Sequence, residues 1–161
     1  MVAIIKQEDP RPLFLYAALH VAHEPLEAPA PLISMYAAAE PTWCKSKATI
    51  AAMATVADDT TGVLVDALKA TRGMWSNTVL VFSSDNGGDS GCSSNYPLRG
   101  RKRTFFEGGC RVPAFLASPL LPEARRGGRL ETAFIHISDW YATFLGLAGV
   151  VDNPTDSGPG R

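Results

Sequence analysis

The feature that most constrains this chain is Thr78-Val79-Leu80-Val81-Phe82-Ser83-Ser84, a short β-branched apolar run that ends directly in Asp85-Asn86-Gly87-Gly88. Such a run predicts a strand. A buried strand that stops in a polar, glycine-rich turn is how α/β folds present ligands at the carboxyl edge of a sheet. Leu13 to Leu19 is a second continuous apolar run, just after Pro10-Arg11-Pro12, and predicts a strand buried on both faces, as in a parallel sheet. Val112 to Ala117 is a third, closed by Ser118-Pro119.

Helical spacing fills the gaps between these runs. From Lys47 to Thr71, Ile50, Met53, Ala57, Leu64 and Leu68 recur at steps of three and four. Thr60-Thr61-Gly62 interrupts that pattern and marks either a kink or close packing, and Gly73 is a suitable stop. Residues 137–148 return to helical spacing, with Ser138 or Asp139 as cap. Pro25, Pro29 and Pro31 argue against a regular helix, so 23–34 reads as loop. Residues 87–95 form a Gly/Ser/Asp/Asn loop, and 151–161 read as a disordered tail. The order strand, loop, helix, strand, loop, strand, helix predicts an α/β domain over residues 1–150.

Composition narrows the function. The 161 residues are 46% hydrophobic, with 15 Lys and Arg against 16 Asp and Glu. That is enough to bury a core, and the neutral balance argues against a nucleic-acid binder. No apolar stretch approaches the roughly 20 residues that span a bilayer. Met1 to Ile5 is too short for the apolar core of a signal peptide. Cys44, Cys92 and Cys110 form no C-x-x-C pair, which argues against a zinc ribbon. Unpaired thiols and a Cys92–Cys110 disulfide both remain open.

Three features carry chemistry. Asp85 and Asn86 offer a carboxylate and an amide oxygen side by side, the donor type that Ca2+ or Mg2+ takes; the alternative is a simple turn. Between Tyr96 and Arg111, five basic residues (Arg99, Arg101, Lys102, Arg103, Arg111) face one carboxylate, Glu107. Positive charge beside a cation site points to an anionic substrate such as a sulfate or phosphate ester; the alternative is a solvated basic loop. His23 follows the first predicted strand, where an imidazole can give a proton to a leaving group near neutral pH. His20 either serves instead or packs, and His136 reads as structural. No nucleophile elbow and no Lys-Ser/Thr phosphate loop is present.

Ser84-Asp85-Asn86-Gly87-Gly88, Asn95-Tyr96-Pro97-Leu98-Arg99-Gly100-Arg101-Lys102 and Phe106-Glu107-Gly108-Gly109-Cys110-Arg111-Val112-Pro113 together resemble the type I sulfatases, most of all their arylsulfatase B-like branch. Leu15 to Leu19 running into His23-Glu24-Pro25-Leu26, and His136-Ile137-Ser138-Asp139-Trp140-Tyr141, extend the likeness over about residues 12–149.

The resemblance implies an alkaline-phosphatase-like α/β sandwich around a mainly parallel sheet, incomplete in this chain, and hydrolysis of sulfate esters of carbohydrates or aryl alcohols. It implies Asp85 and Asn86 as calcium ligands (Mg2+ being the alternative), Lys102 as the group holding the sulfate, and His23 as acid for the leaving alcohol. It also implies a secretory, lysosomal or extracellular setting.

The family's nucleophile is a formylglycine made from Cys in Cys-x-Pro-Ser-Arg, and none of the three cysteines stands in that motif. The family's paired amino-terminal aspartates are missing as well; Asp58-Asp59 lies inside the helix pattern. The expectation is therefore a carboxyl-side piece of a sulfatase domain that is inactive alone. A phosphate-ester hydrolase of the same superfamily and a non-catalytic anion binder are the alternatives.

Overall fold

The computed structural model describes residues 1–6, 11–89, 91, 93–128 and 134–150. The elements are α1 (Val2–Ile5), α2 (Ala30–Ala39), α3 (Lys45–Ala70), β1 (Leu80–Ser83), α4 (Glu107–Cys110), β2 (Ala114–Ala117) and α5 (Asp139–Leu147), with short 3-10 turns at Trp75–Asn77 and Glu123–Arg125. The chain divides into two units, Met1–Arg126 and Gly127–Arg161.

The predicted helix over 47–71 forms as α3. Its inward stripe repeats at four-residue steps, Ala48 with Ala52 and Thr49 with Met53, and all four side chains are buried. Thr60-Thr61-Gly62 does not break the helix, which runs unbroken from Lys45 to Ala70. The Thr60 and Thr61 hydroxyls donate to the carbonyls of Val56 and Ala57 at 2.7 and 2.8 Å, so they are satisfied within the helix. A Cβ on Gly62 would meet nothing within 4 Å. By length and composition alone α3 is long and apolar enough to cross a bilayer, a test that a core helix packed inside a protein also passes. In this structure it packs against α2 and α1 instead.

The prolines do not keep 23–34 in a loop. Helix α2 starts at Ala30, with Pro29 as its N-cap and Pro31 in its first turn. Proline is tolerated there because the first-turn N–H groups have no intrahelical partner to lose. Tyr36 of α2 and Thr55 of α3 share a hydroxyl–hydroxyl hydrogen bond of 2.7 Å.

Strands β1 and β2 form within the predicted runs 78–84 and 112–117 and pair antiparallel, Leu80 opposite Ala117 and Phe82 opposite Phe115. The two phenyl rings stack at 5.1 Å. Ser118 Oγ donates to Thr78 O at 2.6 Å and closes the end of the ladder. The expected strand over Leu13–Leu19 does not form: residues 12–20 are in no helix or strand, and Phe14 and Tyr16 are 72% and 82% exposed. A strand needs a neighbour to take its backbone N–H and C=O groups, and among the described residues only β1 and β2 pair. The buried apolar side chains among the described residues are correspondingly few: Ile5, Ala48, Ala52, Met53 and Ala67.

In the second unit, α5 begins at Asp139 with Ser138 as N-cap. The Ser138 hydroxyl bonds His136 Nδ1 at 2.8 Å rather than a helix N–H, and Asp139 Oδ2 accepts the His136 backbone N–H at 2.7 Å. His136 is thus a structural residue of the helix entry. The predicted tail, 151–161, lies outside the described residues.

Candidate functional site

The turn after β1 is built by its own polar atoms. Asp85 Oδ1 accepts the Asn86 backbone N–H at 2.9 Å. Ser84 Oγ donates to Asn86 O at 3.1 Å, and Asn86 Nδ2 donates to Gly87 O at 3.0 Å. This directs the amide nitrogen of Asn86 to the backbone and leaves its Oδ1 on the opposite side. The Asp85 carboxylate is exposed and Asn86 half-buried.

Two other loops close onto this turn. Gly87 N donates to Gly109 O at 3.0 Å, Gly108 N to Arg99 O at 2.7 Å, and Lys102 N to Gly88 O at 3.0 Å. Backbones approach this closely only without side chains: a Cβ on Gly87 would fall on the Gly108 carbonyl, and one on Gly108 would lie 2.8 Å from Arg99 O. Asn95 completes the junction. Its Oδ1 accepts Gly88 N at 2.9 Å, while its Nδ2 donates to Gly88 O at 3.0 Å and to Gly100 O at 3.3 Å. Asn95 lies inside a motif quoted above, yet no property of the sequence marks it as this clamp.

The basic segment divides by environment. The Arg99 guanidinium sits 3.9 Å from the Phe106 ring centroid. Arg111 pairs with Glu107 at 3.1 Å, one helical turn away, both side chains well exposed. A pair this solvated contributes at most about 1 kcal/mol. Lys102 is half-buried, and its backbone is fixed to Gly88 while its ammonium group carries the charge. The structure thus ties the main chain of Lys102 to Gly88, in the turn that carries Asp85 and Asn86.

His23 belongs to a separate loop. Its Nδ1 lies 3.0 Å from Glu24 O, and its ring meets that of His20 edge-on at 5.6 Å. A carbonyl only accepts, so Nδ1 carries the hydrogen and Nε2 is the atom left for chemistry. His20 Nε2 reaches the same carbonyl at 3.2 Å. His20 lines a pocket of about 280 Å³ with Leu19, Val21, Pro25 and Met53; His23 is not among the lining residues. No described hydrogen bond of His23 reaches the Asp85–Lys102 junction.

A divalent cation is tested by the donors present. Asp85 and Asn86 offer hard oxygen donors at one turn, which fits Ca2+ or Mg2+. Calcium takes six to eight oxygens, and among the described residues no group of three or more His, Cys, Asp or Glu side chains could hold a metal. The pair therefore fits as part of a ligand set, not a whole one. Among the cysteines, Cys110 is a free, exposed thiol and Cys44 is disulfide-bonded, so the Cys92–Cys110 pairing does not form and Cys44 is no ordinary thiol.

Comparison with known proteins agrees with this architecture. The family model described as Sulfatase matches residues 1–150. Mouse arylsulfatase J is 38% identical over 152 residues, covering 92% of this chain and 24% of its own length. A protein named sulfatase from Formosa agariphila is 32% identical over 148 residues, 86% of this chain and 26% of its own. The chain thus spans about a quarter of the length of these curated relatives. The crystal structure of Ps i-CgsB in complex with k-i-k-neocarrahexaose superposes with a TM-score of 0.83 at 32% identity, over 96% of this chain and 33% of that one. That match places the chain in the alkaline-phosphatase-like α/β fold expected above. With the glycine-knit turn, the paired strands and the matched sequence all pointing one way, the chain belongs to the sulfatase family.

Proposed function

We propose that this chain supplies the cation and sulfate-gripping part of a sulfuric ester hydrolase. The observation that carries the reading is the junction in which the Asp85-Asn86 turn and the Lys102 backbone are fixed to one another through Gly88. Asp85 and Asn86 would hold a divalent cation, taken to be Ca2+, which when bound draws charge from the sulfate oxygens. The Lys102 ammonium group binds the sulfate through charge-assisted hydrogen bonds. His23, with Nδ1 held by Glu24 O, would present Nε2 to protonate the leaving oxygen of the alcohol as sulfur exchanges its bond to that oxygen for one to a nucleophile that none of the three cysteines here supplies.

The neocarrahexaose complex of the solved neighbour supports a sulfated carbohydrate as the substrate, with aryl sulfates as laboratory surrogates. The disulfide at Cys44 supports a secretory, lysosomal or extracellular setting, where such bonds persist.

Titration of the isotopically labelled chain with sodium sulfate, at ionic strength matched with sodium chloride, tests the reading. The resonances of Lys102 and His23 are expected to move together, and CaCl2 to move those of Asp85 and Asn86. Sulfate that perturbs Lys102 and leaves His23 still would remove His23 from the site. Turnover of an aryl sulfate is expected to be absent, because no Cys-x-Pro-Ser-Arg occurs in the chain. Turnover abolished by Lys102→Ala would overturn the division of labour stated here.

A further inference from the structure

We propose that Asn95 is a positioning residue that sets the spacing between the cation ligands and the sulfate-binding lysine; the inference rests on the site reading above. Its amide engages both loops of the junction. Through Oδ1 and Nδ2 it satisfies the N–H and the C=O of Gly88, two residues beyond Asn86. Through Nδ2 it also reaches Gly100 O, two residues before Lys102. The same Gly88 carbonyl accepts the Lys102 backbone N–H at 3.0 Å. One side chain therefore pins the turn that carries Asp85 and Asn86 and the loop that carries Lys102 to a common carbonyl. Asn95 is itself held, since its carbonyl closes a turn by accepting Leu98 N at 2.8 Å.

The chemistry gives this clamp a purpose. A tetrahedral oxyanion must touch the cation on one side and the ammonium group on the other, so a shift of one loop against the other weakens both contacts at once. Glycines 87, 88 and 100 bring no side chains that could resist such a shift. Asparagine suits the task because a single planar amide offers an acceptor and a two-hydrogen donor. Aspartate lacks the donors and serine reaches at most one of the three partners. The amide does not itself face the oxyanion in this account; it acts through Gly88 and Gly100.

The test compares Asn95→Ala with Asp85→Asn and Lys102→Ala in the full 161-residue chain, read by amide hydrogen exchange and by separate titrations with CaCl2 and sodium sulfate. Unchanged resonances over α3 report an intact fold. Asn95→Ala is expected to speed exchange at Gly88 and Lys102 and to weaken calcium and sulfate together, each by about tenfold, the size of a typical loss on removing a ligand's support. Asp85→Asn is expected to weaken calcium chiefly, and Lys102→Ala sulfate chiefly. Faster exchange with both affinities unchanged would make Asn95 merely structural and overturn the proposal. If Asp85→Asn and Lys102→Ala alter neither ion, the site reading itself falls and takes the proposal with it. Should Asn95→Ala lose the α3 resonances, Asn95→Ser is measured in its place against the same criteria.

Discussion

The backbone N–H of Lys102 donates to the carbonyl of Gly88 at 3.0 Å, three residues after Asp85. The basic segment and the acidic turn are thus one structure rather than two charged loops. The main chain of Lys102 does the holding, independently of its side chain.

That separation makes Lys102→Ala informative. The main-chain bond survives the substitution, and Lys102 is only half-buried. The urea midpoint is expected to shift by no more than about 0.5 kcal/mol in stability, while the sulfate-induced shifts at Lys102 and its neighbours disappear. A large loss of stability would mean that the side chain has a structural partner.

Two glycines should respond in opposite directions. In Gly87→Ala the added Cβ meets the Gly108 backbone carbonyl, which cannot yield without parting the loops, so a loss of about 3 kcal/mol is expected. In Gly62→Ala the Cβ meets nothing, and an exposed helix interior gains about 1 kcal/mol from alanine. Denaturant unfolding of both variants measures the contrast, and similar shifts in both would contradict this geometry.

The bond between Tyr36 and Thr55 is a discrete tie between α2 and α3. Tyr36→Phe removes one hydroxyl and should cost about 1 kcal/mol. Because Thr55 Oγ1 also donates to Ala51 O at 3.3 Å, it is not orphaned in the variant. A double-mutant cycle with Thr55→Val isolates the pair, and a coupling energy near zero would show that the two hydroxyls do not meet in solution.

Redox state offers a separate check. Without reductant, a maleimide probe is expected to label Cys110 and spare Cys44, and with reductant to label both. Cys44→Ser is expected to destabilise the chain by about 3 kcal/mol, the usual scale for losing a disulfide. Equal labelling of Cys44 and Cys110 without reductant would show that the bond is absent in the protein as purified.

Much of the site could be read in the sequence because its parts are local. Asp85 and Asn86 follow a β-branched run, and a strand that ends in Asp-Asn-Gly-Gly must turn there. The cluster of Arg99 to Arg111 is visible as charge. What could not be read is how the loops meet. Gly87, Gly100, Gly108 and Asn95 look like turn residues in the text, and only their backbone hydrogen bonds show that they weld three segments together. The pairing of Phe82 with Phe115 is likewise a matter of register across more than thirty residues, which apolar content cannot specify.

The element readings diverge for the same reason. α3 forms where its periodicity puts it, because helix hydrogen bonds close within four residues. Leu13 to Leu19 has the composition of a buried strand and yet forms none, because a strand's bonds are made with another segment. α2 starts between prolines that seemed to forbid it, because a proline's missing N–H costs nothing in a helix's first turn. The sequence by itself determined the helix periods, the site's residue types and the family likeness, all of which rest on neighbours in the chain. Tertiary structure alone decided which strands pair, which glycines touch and how Asn95 ties the lysine loop to the acidic turn, because those contacts join residues whose separation in the chain carries no signal of their separation in space.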